Sequence, residues 1–288
     1  RDFCLSRGLG DVYKRQDFKY NISLNGSYNK NEVGNIPTSD GIIHGAGNEL
    51  YNNASEFYRA ENGQPIGYFW GYKTAGIFQN TQEIDEWRAA GNGILQSNVQ
   101  PGDVRFVDRN HDGQINDKDK VNLGNGTPDF TLGLNLGFVY KGFDFSIVAN
   151  GAFGQQIVQS YRNHTRPTPN YTTAILDRWH GEGTSNRIPR VTDSNINYQF
   201  SDLFIQNGDY LRLSTLTLGY DFAKLFKGKA VSQARLYFQV QNLFTITGYD
   251  GMDPEIGFGS SNNSWVSGLD YGYYPRPRTV LVGVNLKF

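Results

Sequence analysis

The chain has 288 residues, 14% of them aromatic, with 34 glycines and a formal net charge of −1 from 27 Lys+Arg against 28 Asp+Glu. So even a balance leaves no basic surplus to neutralise a nucleic-acid backbone, which excludes nucleic acid as a partner. The single cysteine, Cys4, excludes an internal disulfide framework, and no run of 18 apolar residues reads as a membrane-spanning helix; β-barrel strands, apolar on one side only, escape that last test.

Residues 1–16, RDFCLSRGLGDVYKRQ, show neither strand alternation nor the apolar centre of a signal peptide. They read as non-native sequence, out-of-frame translation for instance, or as a disordered leader, and they stay outside the fold expectation. The chain opens on Arg1 and its one methionine is Met252, so it reads as a fragment. From Asp17 the pattern has period two: Phe18, Tyr20, Ile22, Leu24 and Tyr28 alternate with Lys19, Asn21, Ser23, Asn25 and Ser27. Phe130 to Tyr140 repeats it, and after Lys141-Gly142 so does Phe143 to Ala149, which predicts a hairpin. Further strands are expected at Tyr210 to Phe222, Arg235 to Thr245 and Thr279 to Phe288. In the first of these the apolar phase slips between Leu213 and Leu216, the mark of a β-bulge or of a strand changing environment.

A soluble β-sandwich also alternates, so strand length must decide. Phe130 to Tyr140 makes ten steps of about 3.3 Å, which a tilt of roughly 40° reduces to about 25 Å, the height of the apolar band on an outer-membrane barrel. Sandwich strands are typically about 5–6 residues. The fold expected is therefore all-β, an antiparallel transmembrane β-barrel. The long polar stretches Lys30 to Ala60, Asn80 to Asp103, Ser160 to Asn207 and Gly248 to Pro277 are its extracellular loops.

One such stretch carries a calcium-type pattern, DRNHDGQINDKD. Asp108, Asn110 and Asp112 take positions 1, 3 and 5 of a twelve-position loop, Gly113 the sharp turn at 6, and Gln114 a backbone carbonyl at 7; Asn116 falls at 9 and Asp119 at 12. Asp119 is shorter than the bidentate Glu of a sensor. No helix pair flanks the loop and no second copy is present, so neither an EF-hand nor a dockerin is indicated. Structural Ca²⁺ binding by Asp108, Asn110, Asp112, Gln114 and Asp119 is one expectation, and an Asx-rich turn closed by its own hydrogen bonds is the other.

Several stretches together resemble one family, the SusC/RagA-like TonB-dependent outer-membrane importers of Bacteroidetes: GQPIGYFWGYKTAGIFQ (63–79), PGDVRFVDRNHDGQINDKD (101–119) with LGNGTPDFTLGLNLGFVYKGFDFS (123–146), RWHGEG to IPR (178–190), YLRLSTLTLGYDF (210–222), QVQNLFTITGYDGMDPEI (239–256) and YYPRPRTVLVGVNLKF (273–288). The resemblance covers 17–288. It implies the C-terminal part of a large, plugged antiparallel transmembrane β-barrel in the outer membrane, with the plug and the TonB box outside this sequence, so that this segment alone would transport nothing. It also implies a SusD-like surface lipoprotein as partner, energy from the TonB complex through the missing N-terminal region, outer-membrane lipid around the wall, and glycans or peptides as cargo. The alternating face of Val282, Val284, Leu286 and terminal Phe288 resembles the signal read by the barrel-assembly machinery; it is otherwise an ordinary last strand.

The rival class is a secreted calcium-dependent carbohydrate-binding β-sandwich, in which Leu132, Leu134, Leu136, Phe145 and Ile147 would form a dry interior instead of facing lipid. An enzyme is not expected. Asp253 and Glu255, at i and i+2 around Pro254, hold no acid and nucleophile across a sugar and are expected to order a loop. His44, His111, His164 and His180 show neither metal spacing nor a nucleophile partner. Trp70, Trp87, Trp179, Trp265 and Tyr271 could stack on sugars, but are expected to pack loops or line membrane girdles.

Overall fold

The computed structural model describes residues 5–9, 18–45, 56–159, 172–192, 195–223, 231–256 and 265–288. Seven strands form one antiparallel sheet: β1 (Leu5–Leu9), β2 (Phe18–Tyr28), β3 (Phe130–Tyr140), β4 (Phe143–Phe153), β5 (Tyr210–Asp221), β6 (Gln233–Thr247) and β7 (Thr279–Lys287). Their order in the sheet is their order in the chain, an up-and-down meander. The segment set aside above thus contributes β1, which pairs Leu5 with Gly26 and Leu9 with Ile22; residues 1–4 and 10–16 lie outside the described residues.

The predicted hairpin joins β3 to β4 through Lys141 (φ 50°) and Gly142 (φ 95°). Two positive φ angles in a two-residue loop match the right-handed twist of the strands it joins. From there the register sorts side chains into rows. Tyr20, Phe138, Phe145, Leu218, Phe238 and Val282 lie side by side on one face, and Ser23, Asn135, Val148, Thr215, Gln241 and Thr279 on the other. Aromatic rows close the apolar face at both ends. Phe18, Tyr140, Phe143 and Tyr220 stand at the short-turn end, with Phe143 and Tyr220 at 4.4 Å, and Tyr28, Phe130 and Phe153 stand at the other.

Near the middle of β5 the register slips, as the phase change predicted. Val148 and Ala149 are adjacent on β4, but face Thr215 and Leu213 on β5, which in turn face Gln241 and Phe244 on β6. Each strand thus adds one residue to its neighbour's count. Such bulges bend and twist a sheet, and here they keep Leu213 and Phe244 on the apolar side.

The polar face is tied across strands. Asp144 on β4 reaches Arg235 on β6, with Arg235 Nε 2.7 Å from Asp144 Oδ1, directly over Gly219 of β5. A Cβ at Gly219 would stand 2.3 Å from that carboxylate oxygen, so glycine is what lets the ion pair span three strands.

Among the described residues no second sheet covers the apolar face: Phe143 is 60% exposed and Val282 71%. The buried clusters lie instead among the connections. This overturns the sandwich alternative, whose defining feature is a dry core between two inner faces.

All long connections leave the same end of the sheet. They are more than loops. Ile42–His44, Tyr58–Glu61, Tyr68–Gly71 and Val121–Asn122 form a small sheet, Thr74–Ile77 pairs with Val104–Phe106, and Gln156–Gln159 sits between Ile205–Asn207 and Leu269–Asp270. One helix, α1 (Thr81–Ala89), starts at an Asn80 cap and buries Ile84. The main core combines Phe57, Phe69 and Leu123 from the first connection, Val158 and Phe200 from the second, and Val266 and Leu269 from the third. Three excursions therefore fold as one cap. Connections 29–129, 154–209 and 248–278 at one end, against the shorter 10–17, 141–142 and 222–232 at the other, make the asymmetry of outer-membrane barrels, whose long loops are extracellular.

Candidate functional site

The calcium-type loop leaves the cap strand Val104–Phe106 and returns through a short 3₁₀ turn, Asp117–Asp119. Asp108 is 1% exposed. Its Oδ2 accepts the amides of Gly93 and Gly113, both at 2.9 Å, while its Oδ1 is buried without a hydrogen-bond partner. Burial works to raise its pKa, but the amides of Gly93 and Gly113, with those of His111 and Asp112, outweigh it and hold the carboxyl below its ordinary value. Positive φ at His111 (55°) and Gly113 (79°) wraps the chain around this carboxylate.

The other predicted ligands divide. Asn110 Oδ1 accepts the Asp112 amide at 3.1 Å, and Asp112 Oδ1 the Gln114 amide at 2.9 Å, two Asx turns in succession. Asp119, fully buried, accepts Arg109 N at 2.9 Å on one oxygen and Asn116 N at 2.8 Å on the other, so each ties down part of the loop's own backbone. Asn116 in turn caps the 3₁₀ turn by accepting Lys118 N. The spacing Asn116-x-x-Asp119 is a capping box, and that signal was present in the sequence. Among the described residues no three His, Cys, Asp or Glu side chains converge on one point.

Next in the chain, Lys120 crosses to the cap sheet. Its Nζ lies 4.3 Å from the Trp70 ring and 5.2 Å from Tyr72, and Arg59 lies 3.3 Å from the Trp70 ring as well. Arg105, 5.7 Å from the Phe78 ring, joins two of the recognised sequence stretches, 63–79 and 101–119, by cation–π contact. A second anchor is Asp103, which accepts Arg190 Nε at 2.7 Å, Asn197 Nδ2 at 2.9 Å and Gln100 N at 2.9 Å. Its partner Arg190 ends the RWHGEG to IPR stretch. These motifs hold the cap together.

The tryptophans do the same. Trp87 donates to Gly93 O at 3.2 Å, Trp179 to Gln79 Oε1 at 3.2 Å, and Trp265 meets Tyr58 at 5.0 Å. Asp253 and Glu255 order a loop, as expected: Arg212, 4% exposed at its side chain, pairs with both, and Arg276 reaches Glu255 at 3.1 Å. His44 lies between Asp40 and Glu56, whose carboxylates raise its pKa, and His180 bonds the Arg178 carbonyl. His164 lies outside the described residues. A cavity of about 440 Å³ opens in the cap, with Ile188, Pro189, Leu203 and Phe204 among its lining and Asp177, Arg187 and Asp250 bringing both charge signs.

A one-sided apolar sheet with two aromatic girdles, a polar inner face and a folded cap at one end defines a wall segment of an outer-membrane β-barrel. No protein-family model matches the chain. It is 33% identical over 285 residues to TonB-dependent receptor P3 of Formosa agariphila, covering 95% of this chain and 27% of that protein. To TonB-dependent receptor SusC of Bacteroides thetaiotaomicron it is 28% identical over 276 residues, covering 95% and 25%. The solved RagAB peptide transporter superposes on all of the chain with a TM-score of 0.69 at 20% identity, over 29% of its own chain. The chain belongs with the SusC/RagA-like TonB-dependent receptors, outer-membrane barrels, and spans under a third of the length of these relatives.

Proposed function

We propose that the chain forms part of the wall and the outer cap of an active importer that takes up glycans or peptides together with a SusD-like surface lipoprotein. TonB would energise it through a part of the receptor outside this chain. The observation that carries this reading is the joint folding of three connections into one cap above a lipid-facing sheet. A rigid cap at the extracellular rim offers a lipoprotein a defined surface, which a set of separate loops would not. The outward face of β7, with Val282 71% and Phe288 85% exposed, suits recognition by the barrel-assembly machinery.

The same geometry gives the acidic pair a structural part. Asp253 and Glu255, the one carboxylate pair singled out in the sequence, are both committed to Arg212.

The test is uptake by a host strain lacking the full-length receptor, offered labelled oligosaccharide and peptide pools, with wild-type complementation in the presence and absence of TonB. Loss of uptake of one pool, restored only when TonB is present, is expected. Unchanged uptake of every pool in the deletion strain, or restoration without TonB, contradicts the proposal.

A further inference from the structure

The buried Oδ1 of Asp108 is an ionised oxygen with no hydrogen-bond partner. An unsatisfied buried carboxylate oxygen is costly, and the ways to relieve it are a donor or a cation. The loop wrapped around it brings further oxygens, and none of its amides completes a hydrogen bond to that atom.

Asn110 Oδ1 and Asp112 Oδ1 each accept one amide, and each keeps a second lone pair. We propose that this loop binds one Ca²⁺ anchored by Asp108 Oδ1, with Asn110, Asp112 and the Gln114 carbonyl as further ligands and water completing the shell. Asp119 has a different part from the one its position in the pattern suggests. It shapes the loop by tying Arg109 N to Asn116 N and does not touch the ion.

All-oxygen ligands select a hard cation over zinc or copper. The irregular set favours Ca²⁺, which accepts six to eight oxygens in flexible geometry, over Mg²⁺, which demands an octahedron. With two carboxylates and otherwise neutral oxygens, affinity falls in the weak class of extracellular modules, a Kd of about 10⁻⁴–10⁻³ M. The ion would fasten the loop to the turn after α1, because Asp108 Oδ2 already holds Gly93 N, and Gly93 O holds the Trp87 indole. Lacking a helix pair to reorient, binding orders the loop and signals nothing further.

The geometry around Trp87 supplies the probe. In the full-length receptor in detergent, Tb³⁺ at the loop will emit when tryptophan is excited, and Ca²⁺ will compete it away. Calorimetry should show one more Ca²⁺ bound to wild type than to Asp108→Asn, with affinity in the variant reduced at least tenfold. Trp87→Phe should dim the Tb³⁺ emission and leave Ca²⁺ uptake intact, a comparison that stands even if Asp108→Asn misfolds. Asp119→Asn should make the loop protease-sensitive with and without Ca²⁺. Equal Ca²⁺ uptake by wild type and Asp108→Asn, or Tb³⁺ emission no brighter in wild type than in Trp87→Phe, overturns the site. A loop in Asp119→Asn that stays protease-resistant but loses Ca²⁺ makes Asp119 a ligand and overturns the assignment.

Discussion

Arginine in place of Leu134 or Ile147 will destabilise the full-length barrel by about 2–4 kcal/mol, whereas arginine in place of Asn135 will be close to neutral. Leu134 pairs with Leu24 and Ala149, and Ile147 with Leu136 and Leu216, so both stand in apolar rows away from the aromatic girdles. A guanidinium there must enter hydrocarbon or drag water and headgroups towards it. Asn135 is one residue along β3 and therefore on the opposite face, in the row of Ser23, Thr215 and Gln241, where an aqueous lumen solvates a charge. Urea unfolding of the receptor refolded into bilayers measures the difference. Equal costs at Leu134 and Asn135 would mean that the two faces share one environment.

A loss of similar size is expected for Arg212→Ala. The Arg212 side chain donates to Glu255 at 2.9 Å and to Thr245 Oγ1 at 3.1 Å, and it also pairs with Asp253. Truncation leaves two carboxylates at the rim of the barrel, where among the described residues Arg276, mostly exposed, is the remaining cation paired with them. Removing one partner of a buried ion pair costs about 3–5 kcal/mol. Replacing Arg212 and Asp253 together by apolar residues of similar volume should recover most of that loss, since the penalty is the stranded charge. Unfolding and protease cleavage near residue 250 report both variants, and a loss under about 0.5 kcal/mol, the range of ordinary surface substitutions, would show that water reaches the pair.

The barrel was legible because its strands are long and one-sided: β3 keeps its period for eleven residues, more than chance or a short sandwich strand provides. Even the bulge in β5 showed, as a slip of phase at Leu213. The cap was not legible. Its strands run to two to four residues, too short for a period to register, and its core residues Phe57, Val158 and Val266 come from three separate connections with no pattern linking them. β1 was missed for a related reason. Its sequence Leu-Ser-Arg-Gly-Leu has no clean alternation, and what the structure shows for it is backbone pairing with β2.

The Asp108 loop shows a different limit. Spacing placed Asp119 where a calcium loop has its last ligand, and the same residue also completes a capping box with Asn116, where it accepts a backbone amide. Two patterns overlapped on one side chain. The recognised motifs carried a family resemblance and no stated structural part, while Arg105 on Phe78 and Arg190 on Asp103 show them holding one another.

The account stands on which face of the sheet meets lipid, and nitroxide labels at residues 134, 135 and 147 of the full-length receptor in bilayers test it most directly. Labels at 134 and 147 should be accessible to oxygen and shielded from a water-soluble nickel complex, and the label at 135 should show the reverse. Nickel access at 134 and 147 with oxygen access at 135 would contradict the orientation of the wall and, with it, the placement of the cap and the lumen.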